Sequence, residues 1–175
     1  MREISKLGII LAVICAIAAG SLAYVYQTTR PVIEERKVKE FEAALRAVIP
    51  EAENFRETKK DGSSFYVATK AGKEIGVAIP VESKGYGSTP ITMVVGVDMT
   101  GKVLRVKVLG HGETAGLGSK IEQDSFLRQF MGKTPESPLV VGQDIDGISG
   151  ATISSRGATA GVKKALTGFA ALFKK

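Results

Sequence analysis

The run Thr92-Met93-Val94-Val95-Gly96-Val97, the break Asp98-Met99-Thr100-Gly101-Lys102 and the run Val103-Leu104-Arg105-Val106-Lys107-Val108-Leu109 decide the fold. Both runs are rich in β-branched residues, and a short polar break containing glycine is a hairpin turn, so the two strands are antiparallel neighbours. Upstream, Phe65-Tyr66-Val67-Ala68-Thr69 and Ile75-Gly76-Val77-Ala78-Ile79 repeat the pattern around Ala71-Gly72-Lys73. Downstream the period changes. Gly116 to Met131 is predicted helical on Ile121, Phe126, Leu127 and Phe130, and Thr152 to Phe173 on Val162, Ala165, Leu166, Phe169 and Phe173. Strands followed by helices define an α+β class with an antiparallel sheet and flanking helices, not the alternation of a doubly wound sheet. No G-x-G-x-x-G opens a helix after the first strand, so a dinucleotide-binding fold is not supported.

Toward the N-terminus, Leu7 to Tyr26 is a run of 20 residues without a charge. As a helix rising about 1.5 Å per residue it is about 30 Å long, the thickness of a bilayer's hydrocarbon core. Tyr24 and Tyr26 suit an interfacial belt and no small-residue cleavage site follows, which favours a retained anchor over a cleaved signal. The expected organisation is a head over residues 1–6, a transmembrane anchor over 7–26, a helical stalk over 27–50 and a folded domain over 51–175. Within the stalk, Pro31 to Ile49 reads as a helix with Pro31 in a first turn, and Pro50 ends it. Arg2 and Lys6 precede the span while Arg30, Arg36, Lys37 and Lys39 follow it, so charge alone does not orient it. A short head before a large domain is the layout of a single-pass protein of the inner or plasma membrane whose C-terminal domain is extracytoplasmic.

The chain has 175 residues, 24 Lys+Arg against 18 Asp+Glu, one cysteine and one histidine. Its basic residues are interleaved with acidic ones rather than clustered among aromatics, which argues against nucleic acid as a partner. Lys163-Lys164 and Lys174-Lys175 are candidates to face lipid headgroups or an acidic neighbouring protein. Cys15 falls inside the apolar run, so the domain holds neither an internal disulfide nor a cysteine-ligated cluster. His111 alone cannot make a histidine-rich zinc site, and no metal site is assigned.

Two glycine-rich segments are poorly explained by packing. His111-Gly112-Glu113-Thr114-Ala115-Gly116-Leu117-Gly118 lies between a strand and a helix. It is either a ligand loop or a connection in which Glu113 only caps. Asp146-Gly147-Ile148-Ser149-Gly150-Ala151-Thr152 runs into the last helix, where unpaired N–H groups and the helix dipole favour an anion such as a phosphate. A capped helix start without ligand is the alternative. Gly85-Tyr86-Gly87 is either a turn or a third ligand-facing loop.

Together the two segments resemble a known pair of motifs. D-G-I-S-G-A-T is similar to the flavinylation motif D-x-x-S/T-G-A-T of the FMN-binding domain family, and H-G-E-T-A-G-L-G to that family's H-x-E-T-P-G-L-G. Ala115 replaces the family's proline, which loosens the loop without removing a polar group. Behind one anchor, and with G-S-K-I-E and F-x-x-Q-F-x-G-K following the first motif, the chain resembles the G subunits of Rnf electron-transport complexes. These are relatives of the C subunits of sodium-pumping NADH:quinone reductases.

The resemblance implies FMN joined covalently through its phosphate to Thr152, attached by a separate flavin transferase. It also implies Ser149, Gly150 and Ala151 along the phosphate approach and Asp146 as a recognition residue for the transferase. Glu113, Thr114, Gly116, Leu117 and Gly118 would face the flavin, with His111 a weaker assignment. The implied role is electron carriage between partner cofactors of a membrane complex that couples ferredoxin:NAD oxidoreduction to Na+ or H+ movement. The chain alone is not expected to be catalytic. The alternatives are a tethered module that holds a phosphate-bearing ligand noncovalently, and a flavoprotein component of another extracytoplasmic reductase.

Overall fold

The computed structural model describes residues 2–60 and 63–173, and Lys174 and Lys175 lie outside them. The hairpin forms as its sequence dictates, with β4 (Ile91–Asp98) antiparallel to β5 (Val103–Gly110). Asp98 builds the turn: its Oδ1 accepts from the N–H and hydroxyl of Thr100 at 2.8 and 2.7 Å and from Lys102 N–H at 3.0 Å. Burial pushes this carboxyl up, but the bonds from Thr100, Lys102 and Gly101 outweigh it and leave the group below its ordinary range.

β2 (Ser63–Lys70) and β3 (Lys73–Ser83) form the second expected hairpin, turning at Ala71 and Gly72 with φ of 49° and 76°. Positive φ at both central residues matches the twist of the flanking strands. β1 (Asn54–Lys60), which the sequence did not announce, pairs antiparallel with β2 and completes a sheet in the order β1-β2-β3-β4-β5. The sheet parts in its middle. β2 and β3 pair only between Tyr66↔Ala78 and Lys70↔Lys73, whereas β3 follows β4 as far as Ser83↔Ile91. Pro80 sits in this one-sided stretch of β3, where a strand residue without an N–H can be accommodated.

One face of the sheet carries the main core, in which Val77, Val95, Met93 and Phe65 meet α3 (Thr152–Phe173) through Val162, Ala165, Leu166 and Phe169. α3 spans the residues expected of it. The helix expected over Gly116–Met131 is instead a 3-10 turn at Gly118–Glu122, a short α2 (Asp124–Leu127) and another 3-10 turn at Arg128–Phe130. Gln123 is extended, with φ −71° and ψ 141°, and breaks the run. The break still buries Ile121, Phe126, Leu127 and Phe130, so the apolar pattern was sound and its continuity was not.

α1 (Arg2–Val48) is a single 47-residue helix with Pro31 inside it, so the stalk helix continues from the apolar segment. It is long and apolar enough to cross a membrane. The chain divides into two compact units, Met1–Glu40 and Phe41–Lys175. In the first, exposed pairs Arg30–Glu34 and Lys39–Glu35 follow the i,i+4 rule. In the second, the last turns of α1 and the residue after them place Ala44, Leu45, Val48 and Ile49 on the outer face of the sheet against Ala68, Ala78 and Val94. Gly96 allows this approach, because a Cβ there would lie 2.6 Å from the Val48 carbonyl oxygen.

Candidate functional site

Three glycine-containing segments meet at the N-terminus of α3. The connection from β3 to β4 brings Gly85-Tyr86-Gly87, the exit from β5 brings His111 to Gly118, and the approach to α3 brings Gly150 to Ser154. They enclose a cavity of about 480 Å³ lined by Tyr86, Thr114, Leu117, Gly118, Gly150, Ala151, Thr152, Ile153 and Ser154.

Glu113 ties the segments together from beneath. Its side chain is 8% exposed, Oε1 accepts from Gly87 N–H at 3.2 Å, and Oε2 accepts from the Ser154 hydroxyl. One carboxylate therefore joins all three segments, and it does not line the cavity. The approach is close: a Cβ on Gly85 would lie 2.0 Å from Glu113 Oε1, and one on Gly87 2.0 Å from the Gly112 carbonyl oxygen. His111 stands behind the same carboxylate, with Nδ1 accepting from Glu113 N–H at 3.2 Å and Nε2 3.6 Å from Glu122 Oε2. Its place is in the scaffold of the loop.

Thr152 opens α3, and its side chain is exposed at the cavity. Ala151, just before it, has no side-chain oxygen with which to cap. The first-turn N–H groups thus have no partner within the helix, and no acidic residue in that turn opposes its positive end. A hydroxyl does hold the approach to the helix, but it lies within α3. Ser155, one turn inside, accepts Ile148 N–H at 3.0 Å and donates to the Ala151 carbonyl at 3.0 Å, while Ser149 is exposed away from the lining. Gly150, at φ +77°, makes the bend into the helix.

Of the remaining expected residues, Thr114, Leu117, Gly118, Gly150 and Ala151 line the cavity, whereas Gly116 and Asp146 do not. Asp146 is exposed, and its backbone is held at both polar atoms by Gln129: Oε1 accepts from its N–H at 2.6 Å and Nε2 donates to its carbonyl at 3.2 Å. Tyr86, Ile153 and Ser154 were not assigned from sequence. The open alternatives for Gly85-Tyr86-Gly87 resolve in favour of a cavity wall, with Tyr86 69% exposed at its rim.

A Thr152 hydroxyl at a helix start, unpaired N–H groups around it, and a wall bearing Tyr86, Leu117 and Ile153 suit a ligand with a phosphate at one end and a flat apolar ring at the other. These are the features of an FMN-binding domain, and that family matches residues 85–167, while the RnfG N-terminal region matches residues 1–48. The chain is 36% identical over 163 residues to the G subunit of the proton-translocating ferredoxin:NAD(+) oxidoreductase complex of Clostridium ljungdahlii, covering 89% of this chain and 86% of the relative. It is 32% identical over 185 residues to the G subunit of the ion-translocating oxidoreductase complex of Shewanella oneidensis, covering 92% and 87%. The chain belongs to the family of G subunits of Rnf ion-translocating oxidoreductase complexes. Two crystal structures share its fold: the C subunit of the Na(+)-translocating NADH-quinone reductase of Parabacteroides distasonis, with TM-score 0.53 and 26% identity, and NqrC of Shewanella oneidensis, with 0.50 and 24%. The matches cover 65% and 66% of this chain and span less than two thirds of either solved chain, 63% and 66%.

Proposed function

We propose that this chain is a membrane-anchored electron carrier holding FMN through a phosphoester on Thr152 Oγ, within a complex that couples ferredoxin:NAD oxidoreduction to Na+ or H+ movement. The observation that carries this reading is the Thr152 hydroxyl, exposed at the first position of α3 and facing the cavity. Attachment balances as a transfer from FAD by a separate flavin transferase using a divalent metal. Thr152 Oγ bonds to the FMN phosphorus, the bond from that phosphorus to the bridging oxygen breaks, AMP leaves, and the threonine proton is released.

The flavin supplies the electron chemistry when bound. The chain supplies position. First-turn N–H groups of α3 would hold the phosphate, and Tyr86, Leu117 and Ile153 would line the ring. Glu113 holds the three walls at fixed separation. The exposed side chains of Asp146 and Ser149 leave a face for the transferase to read, while Gln129 and Ser155 hold the backbone behind them. α1 serves as a retained single-pass anchor with the domain on the extracytoplasmic side, among the other proteins of the complex.

A denaturing gel of the chain produced with a flavin transferase tests the reading. Flavin fluorescence should travel with the protein band, vanish in Thr152→Ala and persist in Thr152→Ser. Fluorescence retained in Thr152→Ala overturns the assignment, and none in the unaltered chain favours a noncovalent phosphate-ligand module.

A further inference from the structure

Where β2 and β3 part, the sheet leaves a second and larger space. A cavity of about 660 Å³ opens over Phe65, Ile79, Val81 and Met93 and is closed by Ala171 and Leu172 of α3. Its volume is in the range of small-molecule sites, about 300–1,000 Å³. Gly168 of α3 lies on this wall, and a Cβ there would meet nothing within 4 Å, so the helix leaves the space unfilled.

A polar cleft of about 540 Å³ adjoins it, lined by Ser83, Lys84, Gly87, Ser88, Pro90, Glu82 and Lys164, and the last two also line the apolar cavity. Ser83 Oγ is shielded from solvent and has no hydrogen-bond partner among the described residues. Among the described residues the Lys164 ammonium donates to the Glu82 carbonyl oxygen, at 3.4 Å. Neither Lys84 nor Lys164 forms an ion pair among the described residues. Two ammonium groups and the Glu82 carboxylate leave the cleft one positive charge in excess.

We propose that the paired spaces bind one single-chain, monoanionic amphiphile, a long-chain fatty acid, with its alkyl chain between α3 and β3 and its carboxylate between Lys84 and Lys164. The charge excess matches one carboxylate. The apolar volume is that of one small ligand.

The test uses the full chain in non-ionic detergent, with oleate labelled with 13C at its carboxyl carbon as probe and protein-free micelles as blank. A saturable bound carboxylate resonance at one equivalent is expected. Affinity should fall at least tenfold in Lys84→Gln/Lys164→Gln and be lost in Gly168→Leu, while both variants keep the thermal unfolding of the parent. Oleyl alcohol, which has the same chain without the charge, should compete at least tenfold more weakly. Absence of a saturable signal, equal affinity in the double lysine variant, or competition by phosphatidylglycerol equal to that by unlabelled oleate overturns the proposal. So does undiminished binding by a normally folded Gly168→Leu.

Discussion

The two glycine-rich segments that meet at the α3 cavity are held in opposite ways. In His111 to Gly118 the working side chain is buried: Glu113 turns inward and collects donors from Gly87 and Ser154. In Asp146 to Thr152 the side chains of Asp146, Ser149 and Thr152 are exposed, and residues from elsewhere grip the backbone. Gln129 holds both polar atoms of Asp146, and Ser155 receives the N–H of Ile148. Just upstream, Asp144 accepts from the N–H groups of Val140 and Leu139 and from Lys133. A segment fixed by its own buried carboxylate can shape a wall. One whose polar anchors grip the backbone keeps its own hydroxyls and carboxylate exposed.

Substitutions break this contrast in a definite order. Glu113→Ala should be the most damaging, because it strands a hydroxyl and an amide beside an emptied volume; a loss of about 3 kcal/mol in chemical denaturation is expected. Glu113→Gln keeps an acceptor and should cost about 1 kcal/mol. In the second segment Ser155→Ala removes the grip on Ile148 and should cost about 1–2 kcal/mol by the same measurement.

Acid gives a third comparison. The N–H of Val140, together with the Lys133 ammonium and the N–H of Leu139, holds the Asp144 carboxyl below its ordinary range despite partial burial. A carboxyl depressed in the folded chain binds fewer protons there than when unfolded, so stability rises with pH across that interval. Its contribution is complete above the unfolded value, about 3.9, and is lost as pH falls through the lower folded one. Asp144→Asn should therefore flatten the acid limb of a stability–pH curve. The smallest effect belongs to the residue given the largest role. Thr152 is exposed, so Thr152→Ala should leave stability within about 0.5 kcal/mol while abolishing covalent flavin. A large destabilisation by that change would collapse the contrast between the two segments.

Local signals carried much of this architecture. β-branched runs around polar breaks fixed the β2–β3 and β4–β5 hairpins, and a 3.6-residue period marked α3 across its whole length. β1 escaped because Asn54-Phe55-Arg56-Glu57-Thr58-Lys59-Lys60 is polar, and an edge strand shows no apolar run. Gly116 to Met131 had the right buried residues in a broken helix, because periodicity reports which side chains turn inward and not whether Gln123 stays helical. At the site, the motifs exposed the two segments but not what binds them. Gln129 lies 17 residues from Asp146 and Ser154 lies 41 from Glu113, so these contacts exist only once the sheet and α3 have packed.

The parting of β2 from β3 bears on how such a chain behaves in a crowded complex. A strand stretch with a neighbour on one side only is a template on which a foreign strand can add, the first step of aggregation. Here Pro80 has no N–H to offer a newcomer, and Lys164 already occupies the Glu82 carbonyl. Replacing Pro80 with a residue that bears an N–H would supply the missing donor, and the same opening would then recruit other molecules of the protein.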